Sequence, residues 1–441
     1  MEQRRKNLTQ LFIPICLETL LYMLSGMVDT LMLSSVNDQA VGAVGTANTY
    51  IGIFIIMFSV ISSGMVAVMT QNIGAGRPGV AYQARQLGLA FNAVLGIIMS
   101  LFLSLGAGTI LSGVGVADAL MQPAKTYLQI VGGFCILNAL IPICSSYLRA
   151  FGFSKEPLYA SIIGNVINFC LNAFFLFVLH KGVAGVATAT VISRIINLVI
   201  VVLLGAVLVK AKQHPERESN RAVMGQIIRI GLPSACETAI YNVSMTLVIR
   251  FLNQMDAQGL NVTARSYTMQ ITNFSYCVGA ALAQANAIMT GWHIGAKEYD
   301  ACDRGTKKAA VIGVIVAVIL ETVFTLCSGW IMQLFSKDPQ MVSLVGKLLA
   351  IDIVLEIGRV TNLVYGQALK TSGDAVFPVV MGVCFMILCS VGGTYLFGIR
   401  LGLLAVGAYI GMAGDECVRA IGMYLRWKSG KWKEKGLVKS R

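Results

Sequence analysis

QAVGAVGTANTYIGIFIIMFSVISSGMVAVMTQNIGAG, residues 39–76, contains no charged side chain. As a helix it exceeds the ~20 apolar residues that cross a ~30 Å hydrocarbon core. The stretch 86–117 is equally free of charge. The rest of the 441-residue chain keeps this character, being 56% hydrophobic and only 12% charged, with a mean hydropathy of +0.73. An ordinary soluble domain carries roughly 25% charged residues. There are too few charges here to coat a globule in water, so much of the surface must face lipid. The 45 glycines suit the close helix–helix approach found in membranes.

Hydrophobic runs predict twelve transmembrane helices, near residues 10–34, 42–70, 86–112, 126–148, 157–179, 182–209, 228–253, 262–290, 308–332, 341–369, 376–398 and 401–425. The net charge of +13 does not point to nucleic acid, because the basic residues sit in loops and form no patch with interleaved aromatics. With the N-terminus inside, Arg4, Arg5, Arg77, Arg85, Arg149, Lys155, the Lys210–Arg229 cluster, Lys307, Lys308, Lys370 and the basic tail all fall in the cytoplasm. The opposite side keeps little beyond Lys125, Lys181, Lys337, Lys347 and Arg400. That asymmetry orients the chain in a cell membrane with both ends cytoplasmic. The basic start runs straight into a full-length span, so no cleaved signal peptide is expected. The eleven cysteines lie mostly within apolar spans without metal-ligand spacing and read as small buried hydrophobes.

The long polar connection from Lys210 to Arg229 divides the chain in two, and one half lays on the other. Pro14, Glu18, Thr19, Tyr22 and Ser25 fall on Pro233, Glu237, Thr238, Tyr241 and Ser244 at a shift of 219. Leu148, Arg149, Gly152 and Pro157 fall on Leu369, Lys370, Gly373 and Pro378 at a shift of 221. The matched residues are mostly polar or Pro/Gly, which argues for duplication and against chance among apolar letters. The expected organisation is an N-lobe (1–210), a cytoplasmic linker (211–227), a C-lobe (228–427) and a basic tail (428–441). The fold class is therefore an all-α polytopic membrane protein, twelve helices in two pseudo-symmetric six-helix bundles. Transporters are commonly built on such repeats and work by alternating access.

Charges inside a membrane are costly and mark function unless paired. Glu18, Tyr22, Ser25 and Asp29 share one face of the first span, at i, i+4, i+7 and i+11. No basic residue lies within a turn of Asp29, which suits it to pick up and release a proton. Arg194 on span 6 is an alternative ion-pair partner for it. Ser161, Asn165, Asn168 and Asn172 form a second polar stripe on span 5, suited to a site or to interhelical hydrogen bonds. Span 10 carries Asp352, Glu356 and Arg359, and span 12 carries Asp415, Glu416 and Arg419. Their i,i+3 and i,i+4 spacings predict locally neutralised pairs serving structure, gating or substrate. Glu237 is expected to have no close basic neighbour, and Glu321 lies mid-span on helix 9.

Several motifs, in order, resemble multidrug and toxic compound extrusion (MATE) transporters of the bacterial type. They are Met27-Val-Asp-Thr-Leu-Met32, Ala40-Val-Gly-Ala43, Gln71-Asn-Ile-Gly-Ala-Gly76, Leu148-Arg-Ala-Phe-Gly152 and Asn165-Val-Ile-Asn-Phe-Cys-Leu-Asn172. Gly182-Val-Ala-Gly-Val-Ala-Thr-Ala-Thr190, Ala368-Leu-Lys-Thr-Ser-Gly-Asp374 and Arg426-Trp-Lys-Ser-Gly-Lys-Trp432 extend the resemblance over essentially the whole chain. It implies a secondary active multidrug antiporter, exporting cationic amphipathic compounds for H+ or Na+ without other cofactors. It also implies cation coupling at Asp29, Asn168, Asn172 and Thr190, with sodium at Asp29, Asn168 and Asn172 as one form of that site. Many relatives carry an aspartate where Asn172 stands, so a two-carboxylate proton relay is not expected here. Substrate binding or gating falls to Glu18, Tyr22, Glu237, Tyr241, Tyr267, Asp352, Glu356, Arg359 and Asp415. Tyr50, Met269 and Tyr276 would join them on the cleft wall. The partners expected are the lipid bilayer and the substrate, with a monomer as the working unit.

Two other functions were weighed. A flippase for lipid-linked oligosaccharide or peptidoglycan precursors would need arginines free to meet an anionic pyrophosphate. A membrane enzyme is disfavoured, since no nucleotide loop, H-E-x-x-H or G-x-S-x-G occurs.

Overall fold

The structure is a computed structural model that describes residues 6–34, 38–113, 116–256, 259–333 and 335–438. Arg4, Arg5 and the last residues of the basic tail, Lys439 and Arg441, lie outside it. Among the described residues the chain is helical throughout, without strands. The long helices are α1 (Leu8–Ser34), α2 (Asp38–Gly74), α3 (Pro78–Leu105), α4 (Asp118–Gly132 and Ile136–Ala150), α5 (Lys155–Val178) and α6 (Gly182–Leu208). They continue as α7 (Asn220–Met255), α8 (Leu260–Gly295), α9 (Tyr299–Leu326), α10 (Pro339–Ser372), α11 (Val376–Arg400) and α12 (Leu404–Lys428).

Seven of these are long and apolar enough to span a membrane, and the bent α4 makes an eighth. The other four, α7, α8, α10 and α12, carry most of the intramembrane charges. Their charged groups turn inward: Glu356, Asp352, Asp415 and Arg419 are all buried. The expected twelve-span frame is therefore present, and its more polar helices bury their charges in protein, as lipid requires.

Three spans depart from the straight helices expected. The fourth bends by 43° between its two segments, where a π-helical turn, Leu128–Gly132, precedes Gly133, with Pro142 further along in the second segment. Inserted turns, paired glycines and prolines are the usual sources of such bends. The third ends at Leu105 and restarts as the short helix Ala107–Gly113, and the ninth breaks at Cys327 before Ser328–Met332.

The chain forms two compact units, Met1–Leu232 and Pro233–Arg441, dividing at a proline inside α7. Each has its own apolar core. In the first, Ile51, Phe58, Leu103, Leu128 and Val131 gather α2, α3 and α4. In the second, Val248, Leu252, Leu348, Leu349 and Tyr409 gather α7, α10 and α12. Within the first unit the connection after α6 is fastened to the start of α3, with Arg77 paired to Glu218 at 2.6 Å and Gln83 bonded to Asn220. Residues 220–227, expected in the linker, already belong to α7. The C-terminal segment is likewise anchored, as Trp432 stacks on Trp427 with centroids 4.1 Å apart.

The first turns of α7 cross α2 at backbone distance. A Cβ on Gly231 would lie 1.7 Å from the Val60 carbonyl oxygen, and one on Gly64 would lie 1.9 Å from that of Ile227. Gly231→Val should therefore lower the thermal midpoint of detergent-purified protein, reflecting at least the ~1–3 kcal/mol typical of overpacking. Gly225 lies on the same helix with open space around it. Gly225→Ala should be neutral or stabilising by up to ~1 kcal/mol through helix propensity.

Candidate functional site

In the first unit α1 carries the polar stripe of Glu18, Tyr22 and Asp29, and α5 packs alongside it. Asn172 donates its amide to Asp29 Oδ1 at 2.7 Å and to Asn168 Oδ1 at 3.2 Å. Asn172 and Asn168 are buried, whereas Asp29 remains partly accessible. Thr190 is also buried, but its hydroxyl donates to the Val186 carbonyl of its own helix at 2.9 Å, so it makes no direct bond to the aspartate. Arg194 forms no ion pair with Asp29 among the described residues; its charge acts on Asp29 and on Tyr127 together. Tyr127, at the bend of α4, is thus a neighbour of this site that the sequence did not disclose.

The donor set also tests a sodium ion. Asn172 turns a nitrogen, not an oxygen, toward the carboxylate, and Asn168 Oδ1 accepts from the same amide while keeping its second lone pair. Sodium would need the Asn172 amide reversed, while a proton needs no rearrangement.

Glu18 and Glu237 are each ion-paired, which corrects the expectation that Glu237 lacks a basic neighbour. Arg149 of α4 reaches Glu18 at 2.6 Å, and Lys370 of α10 reaches Glu237 at 2.6 Å. The signal was available: the acids are related by a shift of 219 and the bases by 221. Tyr22, one turn from Glu18, is largely exposed.

In the second unit the charged residues converge on a cavity of about 410 Å³ walled by α7, α8, α10, α11 and α12. From α7 come Glu237, Tyr241 and Met245; from α10, Asp352, Arg359, Asn362 and Lys370; from α12, Tyr409, Glu416 and Arg419. Helix α8 contributes Arg265, Met269, Thr272 and Tyr276, at i, i+4, i+7 and i+11 on one face. Tyr267 is two residues from Arg265, on a different face, and packs instead on Phe335 with ring centroids 5.4 Å apart. It lies outside the cavity wall expected for it.

The three spacing-predicted pairs all form. Arg359 bonds Glu356, Arg419 holds Glu416 at 2.9 Å, and Arg419 grips Asp415 through two bonds of 2.9 and 3.0 Å. Glu416 also approaches Arg359 at 3.6 Å and accepts from Asn362 at 3.0 Å, joining α10 to α12. Asp415 is buried behind the wall and accepts from Ser390 at 2.9 Å. Glu321 of α9 is buried with Asp352, Glu356 and Arg359 as its charged neighbours. Asp352 and Arg265 have no ion-pair partner among the described residues. Spacing along one helix could not disclose this, because it depends on what the neighbouring helices supply.

The comparisons agree with this architecture. The MatE family profile matches residues 14–174 and again 233–396, one match to each half. The chain is 34% identical over 431 residues to the "Uncharacterized transporter YisQ" of Bacillus subtilis (strain 168), covering 96% of this chain and 94% of that protein. It is 23% identical to the "Probable multidrug resistance protein NorM" of Thermotoga maritima, over 98% of this chain and 94% of that one. Among solved structures, "Crystal structure of MATE in the straight conformation" superposes with a TM-score of 0.87 at 20% identity, covering 97% of this chain and 96% of the other. A twelve-helix duplicated frame with charges turned inward, matched twice by one family profile, makes this chain a member of the MATE family of membrane transporters.

Proposed function

We propose that the protein is a secondary active multidrug exporter, moving organic cations out of the cell in exchange for protons by alternating access. The observation that carries the coupling is the Asp29 carboxylate. It is partly accessible, hydrogen-bonded by Asn172 at 2.7 Å and without an ion pair among the described residues. A carboxylate so placed can be protonated and deprotonated without breaking a salt bridge. Sodium is the alternative coupling ion, held by Asp29 with the Asn168 and Asn172 oxygens after the amide has turned. In the second unit, aromatic faces, methionines and acids around one cavity suit amphipathic cations. The relative named as a multidrug resistance protein supports the same substrate class.

The protein acts in the cell membrane, with both termini cytoplasmic and one chain sufficient for transport. A flippase handling anionic head groups is less well supported, because two of the three cavity-wall arginines, Arg359 and Arg419, already neutralise acids and only Arg265 stands outside an ion pair among the described residues. The reading is tested by ethidium efflux from cells expressing the protein. Efflux that stops when the proton and sodium gradients are collapsed is expected. No efflux of any organic cation under either gradient would overturn it.

A further inference from the structure

We propose that the second-unit cavity selects amphipathic zwitterions, seating a carboxylate on Arg265 and the cationic part of the same molecule beside Asp352. This rests on the exporter reading and names the ligand class of its second-unit cavity.

Most of the charges on the cavity wall are already satisfied. Glu237 is held by Lys370 at 2.6 Å, and Glu416 is shared by Arg419 and Arg359 at 2.9 and 3.6 Å. Two wall charges remain outside any ion pair among the described residues, Arg265 and Asp352. Arg265 is only 6% exposed, its Nε has no hydrogen-bond partner, and its polar contact is the Met245 sulfur at 3.8 Å. Thioether sulfur is a weak acceptor and does not neutralise a guanidinium. Asp352 is 2% exposed, and its Oδ2 has no partner.

The two do not satisfy each other, yet both act electrostatically on the buried Tyr409 hydroxyl and both line the same cavity. Unpaired buried charges are costly in the empty site, and a ligand that supplies the missing partners recovers that cost. A simple monocation satisfies Asp352 and leaves Arg265 bare. A zwitterion satisfies both, and a carboxylate matches the planar fork of a guanidinium through two parallel bonds. On the same cavity wall, Tyr241, Met269 and Tyr276 keep exposed faces for the apolar body. The volume of about 410 Å³ falls within the ~300–1,000 Å³ of sites for drug-sized molecules.

A matched pair of probes isolates the carboxylate: tetramethylrhodamine, a zwitterion, and its methyl ester, a cation with the same chromophore. Binding to the purified full chain is read by fluorescence polarisation, independently of transport. The wild type is expected to bind the free acid more tightly than the ester. Arg265→Ala should weaken the free acid at least tenfold and change the ester less than twofold, and Arg265→Lys should restore part of the loss. Asp352→Asn should weaken both probes. Equal weakening of both probes by Arg265→Ala would overturn the proposal, as would wild-type protein that does not prefer the acid. Should the alanine variant not fold, the Arg265→Lys ratio of acid to ester binding decides, an unchanged ratio counting against the proposal. Ethidium efflux by the same wild-type protein tests the exporter reading separately.

Discussion

Asp29→Asn is expected to reduce gradient-driven drug efflux to the background of membranes lacking the protein, with expression and elution profile unchanged. Asparagine keeps the size of the side chain and can still accept from Asn172, which now bonds Asp29 at 2.7 Å. It cannot gain or lose a proton at neutral pH, and it brings no charge for sodium. Because Asp29 is partly accessible and sits in no ion pair among the described residues, removing its charge strands no buried partner. The loss should therefore fall on coupling and not on folding. Efflux in everted vesicles, set beside the amount of protein in them, separates the two. Wild-type efflux in this variant would remove Asp29 from the coupling mechanism.

The second large effect concerns stability. Arg419 is buried, grips Asp415 through two bonds and holds Glu416 at 2.9 Å. Arg419→Ala leaves Asp415 buried with no cation and Glu416 with only the longer contact to Arg359 at 3.6 Å. Breaking a buried pair in this way costs about 3–5 kcal/mol, a large share of the ~5–15 kcal/mol that holds a typical domain. The expected result is loss of the monodisperse peak after detergent extraction, or a thermal midpoint lowered by many degrees. Adding Asp415→Asn and Glu416→Gln should recover part of the loss, since the stranded charges are then gone. The comparator is Lys307–Asp303, whose side chains are 50% and 32% exposed. Lys307→Ala should leave the thermal midpoint essentially unchanged, as loss of an exposed pair does.

These two sites also show how far the sequence could be read. The twelve-span frame was legible because charge-free runs such as residues 39–76 have one economical explanation. The duplication was legible because Pro, Gly and polar residues repeat at a nearly constant shift. The pairs on α10 and α12 were legible because i,i+3 and i,i+4 neighbours meet on any helix. Contacts between helices were harder. Glu18–Arg149 lies 131 residues apart, yet it and Glu237–Lys370 follow from the repeat once acid and base are shifted together. Tyr127 beside Asp29, the stacking of Tyr267 on Phe335 and the bend in α4 left no comparable mark, since they depend on how neighbouring helices turn and pack. Arg265 left no mark either, since only the surrounding side chains reveal that no acid among the described residues pairs with it.

Antiport can be measured most directly in proteoliposomes with a pH-sensitive dye trapped inside and sodium omitted. Adding an organic cation to wild-type vesicles holding a pH gradient should dissipate that gradient, and Asp29→Asn vesicles should show no response. Substrate movement without any proton flux, or a strict requirement for sodium, would contradict proton coupling at Asp29.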